Sequence, residues 1–358
     1  MATVRSILSA NLTKQTFDAM VTSKKIILGK HFDGMPQESD FKIVEEQLPP
    51  LKDGEFLAEA VFLSVDPYMR AYAHNMNPGD VMVGTQVAKV VESKNNNYPV
   101  GEHVVGKFDW RTHTISSGLA SEVAGAGNAP APYVIPNLSG LPLSYCLGVL
   151  GMPGSTAYFG LLDICEPKPG EVVVVSGAAG AVGMIVGQIA KIKGCKVIGI
   201  TGSDEKGRHL VDVLGFDGYA NYKTDNLDQK LGELAPEGID CYFDNVAGEI
   251  STTVISHMRE FGRISVCGSI SSYNHDVKDP PKVGVVQFYM YENQLIMKGF
   301  QNYLYKDRAA EAFRQNLDWI KEGKLKYMET VTEGFNNMVK AFIEMLSGKN
   351  LGKAIVKM

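Results

Sequence analysis

Small residues recur with the spacing of a phosphate-binding loop between Gly177 and Gly183. Ala178, Gly180 and Gly183 occupy the three small-residue positions of a G-x-G-x-x-G pattern. Small residues there let the chain turn tightly, approach a pyrophosphate and pack a helix on its strand, while free N–H groups at the helix start bind the phosphates. A tight turn that binds nothing would show the same glycines. The flanking sequence favours dinucleotide binding, because an apolar strand precedes the loop and an amphipathic stretch follows it.

The residues after the next predicted strand bear on which dinucleotide binds. An NAD-selective site carries an acidic residue at the end of this strand, about 20 residues beyond the glycines, to accept the ribose 2′-OH. Gly202 and Ser203 stand there instead, and Ser203 and Lys206 could bind a 2′-phosphate. The sequence therefore favours NADP(H). Asp204 would instead favour NAD(H) if its carboxylate points at the ribose. Lys206 could also be a solvated lysine at the start of a helix that contacts no phosphate.

Other common catalytic motifs are absent from the sequence. The seven histidines include no H-x-x-x-H pair and the five cysteines no C-x-x-C pair, which are spacings typical of zinc sites. The chain also lacks the G-x-S-x-G nucleophile motif and the G-x-x-x-x-G-K-[ST] phosphate loop. By elimination, the sequence predicts redox chemistry supplied by a cofactor, with no metal.

Composition and charge narrow the class of protein. The 358 residues are 45% hydrophobic and 21% charged, and this length favours two domains. A net charge of −5 without a basic run argues against a nucleic-acid binder. No apolar stretch approaches the ~20 residues that a membrane span needs. From the charge and the short apolar stretches, we expect a protein that binds a small molecule and neither nucleic acid nor membrane. The scattered cysteines indicate a reducing compartment.

The pattern of apolar residues changes near Gly151. Before it, short alternating runs separated by Gly, Pro and Asn predict a β-rich unit. After it, apolar strands alternate with helical patterns, which predicts a doubly wound parallel sheet and an α/β fold class. The predicted strands are 56–65, 86–92, 103–105, 171–176, 196–200, 240–243, 263–267 as the last of the parallel series, and 351–356; the predicted helices are 182–193, 205–214, 250–258, 309–321 and 335–345.

Seven ordered motifs resemble the zinc-independent prostaglandin reductases of the medium-chain dehydrogenase/reductase superfamily. The resemblance runs from about Lys25 to the C-terminus. Between Asn274 and Asn293 the sequence departs from mammalian members of that family, in the segment expected to cover the substrate pocket. The motifs are Ser64–Arg70, Gln86–Ser93, Gly151–Gly160, Gly180–Gly183, Ser203–Lys206, Cys241–Val246 and Asn350–Lys353.

The resemblance implies a GroES-like β-rich catalytic domain, residues 25–149 and 327–358, and a Rossmann domain, residues 150–326. It also implies a homodimer and no catalytic zinc. Residues 1–24 remain as an N-terminal extension. Because they lack an apolar core of the kind found in secretory signals, we expect a cytoplasmic protein; a mitochondrial one is the alternative if they act as a transit peptide.

The implied activity is NADPH-dependent reduction of the carbon–carbon double bond of α,β-unsaturated ketones and aldehydes, including 15-oxo-prostaglandins and lipid-derived alkenals. A quinone reductase of the same superfamily is the alternative among enzymes. A weakly active NADPH-binding sensor protein is the alternative from another class, since a fold does not determine its function.

The family's binding residues transfer by position onto this sequence. Gly180, Ala181, Val182 and Gly183 would hold the pyrophosphate. Ser203, Lys206 and Tyr222 would hold the 2′-phosphate end. The resemblance also implies a further parallel strand just before Phe300. The remaining implied cofactor contacts are Asn245, Cys267, Gly268, Ser269, Ile270, Tyr273, Phe300, Asn302 and Asn350.

Two tyrosines are the predicted catalytic residues. Hydride addition to the β-carbon of an enone places negative charge on the carbonyl oxygen, so the site needs a hydrogen-bond donor there. Tyr273 follows the predicted strand 263–267, where it could bind that oxygen and, with the cofactor ribose, relay a proton. Tyr68 would position substrate from the other domain, although a buried phenol that only packs is an equally good interpretation.

Overall fold

The computed structural model describes residues 20–123, 127–275, 279 and 281–358. Most of the predicted N-terminal extension, residues 1–19, lies outside them. The strands are β1 (Thr22–Leu28), β2 (Phe41–Gln47), β3 (Phe56–Val65), β4 (Gln86–Ser93), β5 (His103–Gly106), β6 (His113–Ser116), β7 (Ser121–Val123), β8 (Gly127–Ala129), β9 (Tyr133–Val134), β10 (Val172–Ser176), β11 (Lys196–Thr201), β12 (Gly218–Asn221), β13 (Ile239–Asp244), β14 (Met258–Val266), β15 (Ile296–Gly299), β16 (Glu329–Glu333) and β17 (Lys353–Lys357). The α-helices are α1 (Tyr68–Tyr72), α2 (Met152–Phe159), α3 (Gly183–Ile192), α4 (Asp204–Asp212), α5 (Leu227–Leu234), α6 (Gly248–Ser256), α7 (Gln287–Glu292), α8 (Ala309–Lys321) and α9 (Met338–Leu346).

Six parallel strands form the sheet of what we call the parallel-sheet unit. Their spatial order is β12-β11-β10-β13-β14-β15, which is the doubly wound order of a Rossmann fold. All five residues of β10 are buried because helices cover both faces of the sheet. Strand order reverses between β10 and β13, and ligands bind at the carboxyl end of such a switch point.

The antiparallel-sheet unit is built around a second sheet in the order β16-β17-β3-β4-β5-β9, with β6 paired to β3. The C-terminal strand β17 pairs antiparallel with β3, so the end of the chain returns to the first unit. Trp110 fills its core, with a ring centroid 5.5 Å from that of Phe342 and 5.9 Å from that of Phe41. None of the described helices is long and apolar enough to cross a bilayer.

The predicted α/β class is confirmed, and several element bounds match the expectation. Strand 56–65 and helix 309–321 are as predicted. The predicted helix 250–258 instead runs from Gly248 to Ser256, because Met258 already begins β14. The prediction from periodicity that 263–267 ends the parallel series is wrong, since β15 adds an edge strand just before Phe300, where the resemblance implied one. All four residues of β15 are exposed, so it lacks the apolar run by which the inner strands were recognised.

Candidate active site

The glycine-rich loop crosses the carboxyl end of β10 as a tight turn. Gly177 has a φ of +60°, and the amide of Gly180 donates to its carbonyl at 3.0 Å. A Cβ on Gly183 would lie 2.5 Å from the carbonyl oxygen of Gly177, so only glycine fits there. The half-buried Ala181 and Val182 lead into α3. This cradle has the form and the helix N-terminus that a pyrophosphate requires.

The segment from Asn350 to Lys353 lies against this loop. The amide of Gly352 donates to the carbonyl of Ala179 at 2.8 Å, and the Asn350 amide group donates to the carbonyl of Gly352 at 2.7 Å. Asn350 therefore stands beside the cradle, where the resemblance had placed it.

Lys353 was not singled out from the sequence as a site residue. Its buried ammonium lies 3.0 Å from Oδ1 of Asp66 and donates to the carbonyl of Val65 at 2.6 Å. The segment therefore joins the phosphate loop to the turn that leads into Tyr68.

A cluster of hydrogen-bond donors occupies the end of β11. Ser203 caps α4, with its Oγ accepting from the amide of Lys206 at 3.3 Å. The Lys206 ammonium donates to the carbonyl of Gly348 at 2.6 Å, and burial together with nearby Lys223 lowers its pKa. The phenol of Tyr222 lies against Gly202, where an added Cβ would be 3.0 Å from its oxygen. These groups make an electropositive corner suited to a 2′-phosphate.

The direction of Asp204, which the sequence left open, is settled by a hydrogen bond. The side-chain amide of Asn221 donates to Oδ1 of Asp204 at 3.1 Å. Asn221 is buried at the end of β12, so this carboxylate is engaged by the neighbouring strand. Asp204 thus has a structural partner that does not involve a ribose.

Asp244 organises the switch point and was missed as a site residue. Its buried Oδ1 accepts from the Ser176 hydroxyl at 3.0 Å and from the amides of Val246 and Ala247 at 2.9 Å each. The next side chain, Asn245, donates to the carbonyl of Ser176 at 2.7 Å. The Asp-Asn pair in Cys241–Val246 was a visible signal, but only the fold shows that the aspartate points inward.

We expect Ala247→Gly to stabilise the protein. Ala247 has φ +61° and ψ −160°, a region in which side chains are strained and glycine is not. Relief of that strain should raise the free energy of unfolding by about 1 kcal/mol. Chemical denaturation of both proteins measures this difference, and a loss of stability in the variant would show that Asp244 holds this backbone without strain.

The loop after β14 folds across the same edge of the sheet. The amide of Cys267 donates to the carbonyl of Asp244 at 2.8 Å, and the amide of Ile270 donates to that of Asn245 at 3.3 Å. Burial raises the pKa of the Cys267 thiol to about 12. The Tyr273 hydroxyl turns back over Gly268 and accepts from the amide of Ser269 at 3.4 Å. A phenol is protonated at neutral pH at its ordinary pKa, and burial raises the pKa of Tyr273 further, so its hydroxyl can donate.

Tyr68 and Tyr72 stand one turn apart on α1 in the other unit, with ring centroids 5.1 Å apart. Burial, with the charge of Asp66 as a smaller cause, raises the pKa of Tyr68, while its hydrogen bond with Thr85 lowers it. Tyr72 was missed by sequence reasoning, and its proximity contributes to the raised pKa of Tyr273. The two units thus bring Tyr72, with Tyr68 beside it, near Tyr273.

The residues after β15 divide between core and cleft. The ring of Phe300 packs against Phe243 and against Gly160, where a Cβ would lie 2.4 Å from it. Its side chain is therefore partly buried and packs against the core of the parallel-sheet unit. Asn302 instead keeps a buried Oδ1 with no hydrogen-bond partner among the described residues. An orphaned acceptor at this edge fits a donor group on a bound ligand.

Within the described ranges, no three His, Cys, Asp or Glu side chains converge as a metal site. The glycine-rich loop, the residues after β11 and Asn302 follow strands of the parallel sheet at its carboxyl edge, where dinucleotides bind in this fold. The loop, the electropositive corner and the orphaned Asn302 together fit NADPH, since they supply a phosphate cradle, a 2′-phosphate contact and a free acceptor.

Comparisons with known proteins agree with this arrangement. Residues 24–123 match the family described as the N-terminal domain of oxidoreductase, and residues 181–322 match the family described as zinc-binding dehydrogenase. Prostaglandin reductase 1 from Bos taurus is 52% identical over 342 residues, and that from Sus scrofa is 51% identical over 340; each match covers 94% of this chain and 100% of the relative. The crystal structure of CurA in complex with NADPH from Vibrio vulnificus has a TM-score of 0.86 at 35% identity, covering 94% of this chain and 99% of that one.

Proposed function

Because the chain belongs to the zinc-independent medium-chain dehydrogenase/reductase family and is an NADP-dependent oxidoreductase, we propose that it reduces the carbon–carbon double bond of α,β-unsaturated ketones and aldehydes. The expected substrates are 15-oxo-prostaglandins and lipid-derived alkenals, consistent with a role in lipid metabolism. Support for the enone class comes from 52% identity to Prostaglandin reductase 1. The observation that carries the proposal is the position of Tyr273, whose hydroxyl lies 3.4 Å from the amide of Ser269 at the carboxyl edge of the sheet and near Tyr72 of the other unit.

The proposed chemistry needs a hydrogen-bond donor at the substrate carbonyl and a residue that positions the substrate. When bound, NADPH supplies a hydride. Addition at the β-carbon of an enone moves charge to the carbonyl oxygen, and Tyr273 is proposed to donate a hydrogen bond to that oxygen. Tyr68 is proposed to position the substrate from α1. Both phenols have raised pKa values, so both remain donors below pH 10.

A substrate panel tests the proposal. Purified full-length protein is mixed with NADPH and, in separate assays, a 15-oxo-prostaglandin, 4-hydroxynonenal, a short enone and a quinone, each repeated with NADH. We expect NADPH consumption with the enones and enals and a saturated carbon–carbon bond in the product. A better rate with the quinone would favour a quinone reductase. No consumption with any acceptor, despite NADPH binding, would favour a cofactor-binding sensor.

A homodimer through β15 is part of the proposal. This edge strand exposes Ile296 and Met297 to solvent, at 60% and 39%, on an open row of main-chain hydrogen-bonding groups. Such an edge is a template for pairing with a second copy. We expect the wild type to have the mass of a dimer in analytical ultracentrifugation and Ile296→Lys to be largely monomeric. A wild-type monomer, or an unchanged dimer in the variant, would place the interface elsewhere or remove it.

The domain bounds and compartment are also proposals. We propose 25–149 with 327–358 as the catalytic domain, because β17 pairs with β3, and 150–326 as the cofactor domain. The described cysteines are all free thiols, four of them buried, which suits a reducing cytoplasm. Cell fractionation with mass analysis of the native N-terminus separates this from import into mitochondria, which would remove the first residues.

A further inference from the structure

Arg70 is a buried cation between the two units. It is 1% exposed and lies on α1, between Tyr68 and Tyr72. Its Nη2 donates to the carbonyl of Gly34 at 2.9 Å, and its Nη1 lies 3.0 Å from Nε2 of His74. Since a guanidinium only donates, this nitrogen of His74 must accept. The face of the guanidinium covers the ring of Phe32, 5.1 Å from its centroid.

The third contact of Arg70 reaches the other unit. Its Nε donates to Oδ1 of Asn274 at 3.1 Å, across 204 residues of sequence. The amide nitrogen of Asn274 lies 3.6 Å from Sδ of Met35, so the antiparallel-sheet unit holds this side chain at both of its polar atoms. Asn274 directly follows Tyr273. The loop that carries the proposed donor is therefore bonded to the helix that carries the facing tyrosines.

The charge of Arg70 has no direct counter-ion in the described part of the chain, where no carboxylate forms an ion pair with it. Asp40, whose charge acts on it from a distance, is paired with Lys30 at 3.1 Å. Burying a cation without such a partner costs stability, whereas an apolar side chain would pack there without that cost. A buried cation that lowers stability in this way is a candidate for a functional residue.

We propose that Arg70 is a positioning residue for the reduction, which sets the distance between Tyr273 and the tyrosines of α1 through its bond to Asn274. The planar guanidinium serves three acceptors in fixed directions, which an ammonium cannot do. Misplacement of a donor by about 1 Å can cost up to ~100-fold in rate. The proposal rests on the proposed function where turnover is measured, and the test therefore includes a readout without substrate.

The test is a double-mutant cycle with a conservative variant. Arg70→Met and Asn274→Leu each remove the bond, and Asn274→Asp keeps an acceptor for Nε. We expect each of the first two to lower kcat about tenfold or more, and the double variant to be no slower than Arg70→Met alone. Asn274→Asp should stay within about threefold of wild type, and the Kd for NADPH, read by fluorescence, should change less than about threefold in all variants.

Hydrogen exchange of the cofactor-free protein supplies the readout without substrate. Amides of 269–275 should exchange faster in Arg70→Met and Asn274→Leu, while the strands of the parallel sheet remain unchanged. Asn337→Leu is the matched control, because it removes an amide bond within one unit, from Nδ2 to the carbonyl of Glu333 at 2.8 Å. It should leave both kcat and this loop unaltered.

Three outcomes would overturn the proposal. They are additive losses in the cycle, a loss in Asn274→Asp equal to that in Asn274→Leu, and unchanged exchange at 269–275. If Arg70→Met does not fold, Asn274→Leu and Asn274→Asp still decide between these results. If the wild type reduces no enone, the proposed function fails, whereas the exchange experiment still measures the bond between Arg70 and the Tyr273 loop.

Discussion

Tyr273→Phe is expected to lower kcat roughly ten- to a thousandfold, with little change in the affinity for NADPH. The phenol is protonated at neutral pH, as an ordinary phenol is, and burial raises its pKa further; it lies at the carboxyl edge of the sheet, near the amide of Ser269. Phenylalanine keeps the ring and its packing but removes the donor that the developing negative charge requires. Steady-state kinetics with the best enone of the panel, together with cofactor titration, measures both quantities.

A second tyrosine provides the control for this variant. The Tyr98 hydroxyl donates to the carbonyl of Pro132 at 2.8 Å inside the antiparallel-sheet unit. Tyr98→Phe should therefore cost about 1 kcal/mol of stability while leaving kcat unchanged. If Tyr273→Phe behaves in the same way, Tyr273 has no catalytic role and Tyr68 or Tyr72 becomes the candidate donor.

Lys206→Ala is expected to raise the KM for NADPH by about 10- to 100-fold and to leave the kinetics with NADH unchanged. A hydrogen bond to a charged group contributes about 1.5–3 kcal/mol, and only NADPH carries the 2′-phosphate that would receive it. Without ligand, the ammonium is held by the carbonyl of Gly348 at 2.6 Å. The same position beside Ser203 and Tyr222 lets it turn to a phosphate.

The control here is a lysine with a similar bond but no place in the cleft. The Lys326 ammonium donates to the carbonyl of Val213 at 3.0 Å. Lys326→Ala should change neither coenzyme's KM. Equal losses with NADPH and NADH in Lys206→Ala would contradict a 2′-phosphate contact and point instead to a general weakening of α4.

Much of the parallel-sheet unit could be predicted because its signals are local. The buried valines of β10, the small residues between Gly177 and Gly183 and the amphipathic α3 follow one another along the chain, and each is recognised by composition or periodicity. The edge strand β15 was missed from periodicity because its exposed residues need no apolar pattern. The inward direction of Asp244 was missed for the opposite reason, since burial of a carboxylate depends on the donors that the fold brings to it.

By itself, the sequence determined that a glycine-rich turn follows a buried strand and that Ser203, not an acidic residue, stands after the next strand, because both depend on residue types at short separations. Only the tertiary structure shows that Asn221 binds Asp204, that the ring of Phe300 packs against the core and that Lys353 pairs with Asp66. The hydrogen bond between Arg70 and Asn274, which are 204 residues apart, is likewise visible only in the tertiary structure. Contacts of this kind join residues that are far apart in the sequence, within one unit or, for Arg70 and Asn274, between the two, and no periodicity within a segment records them.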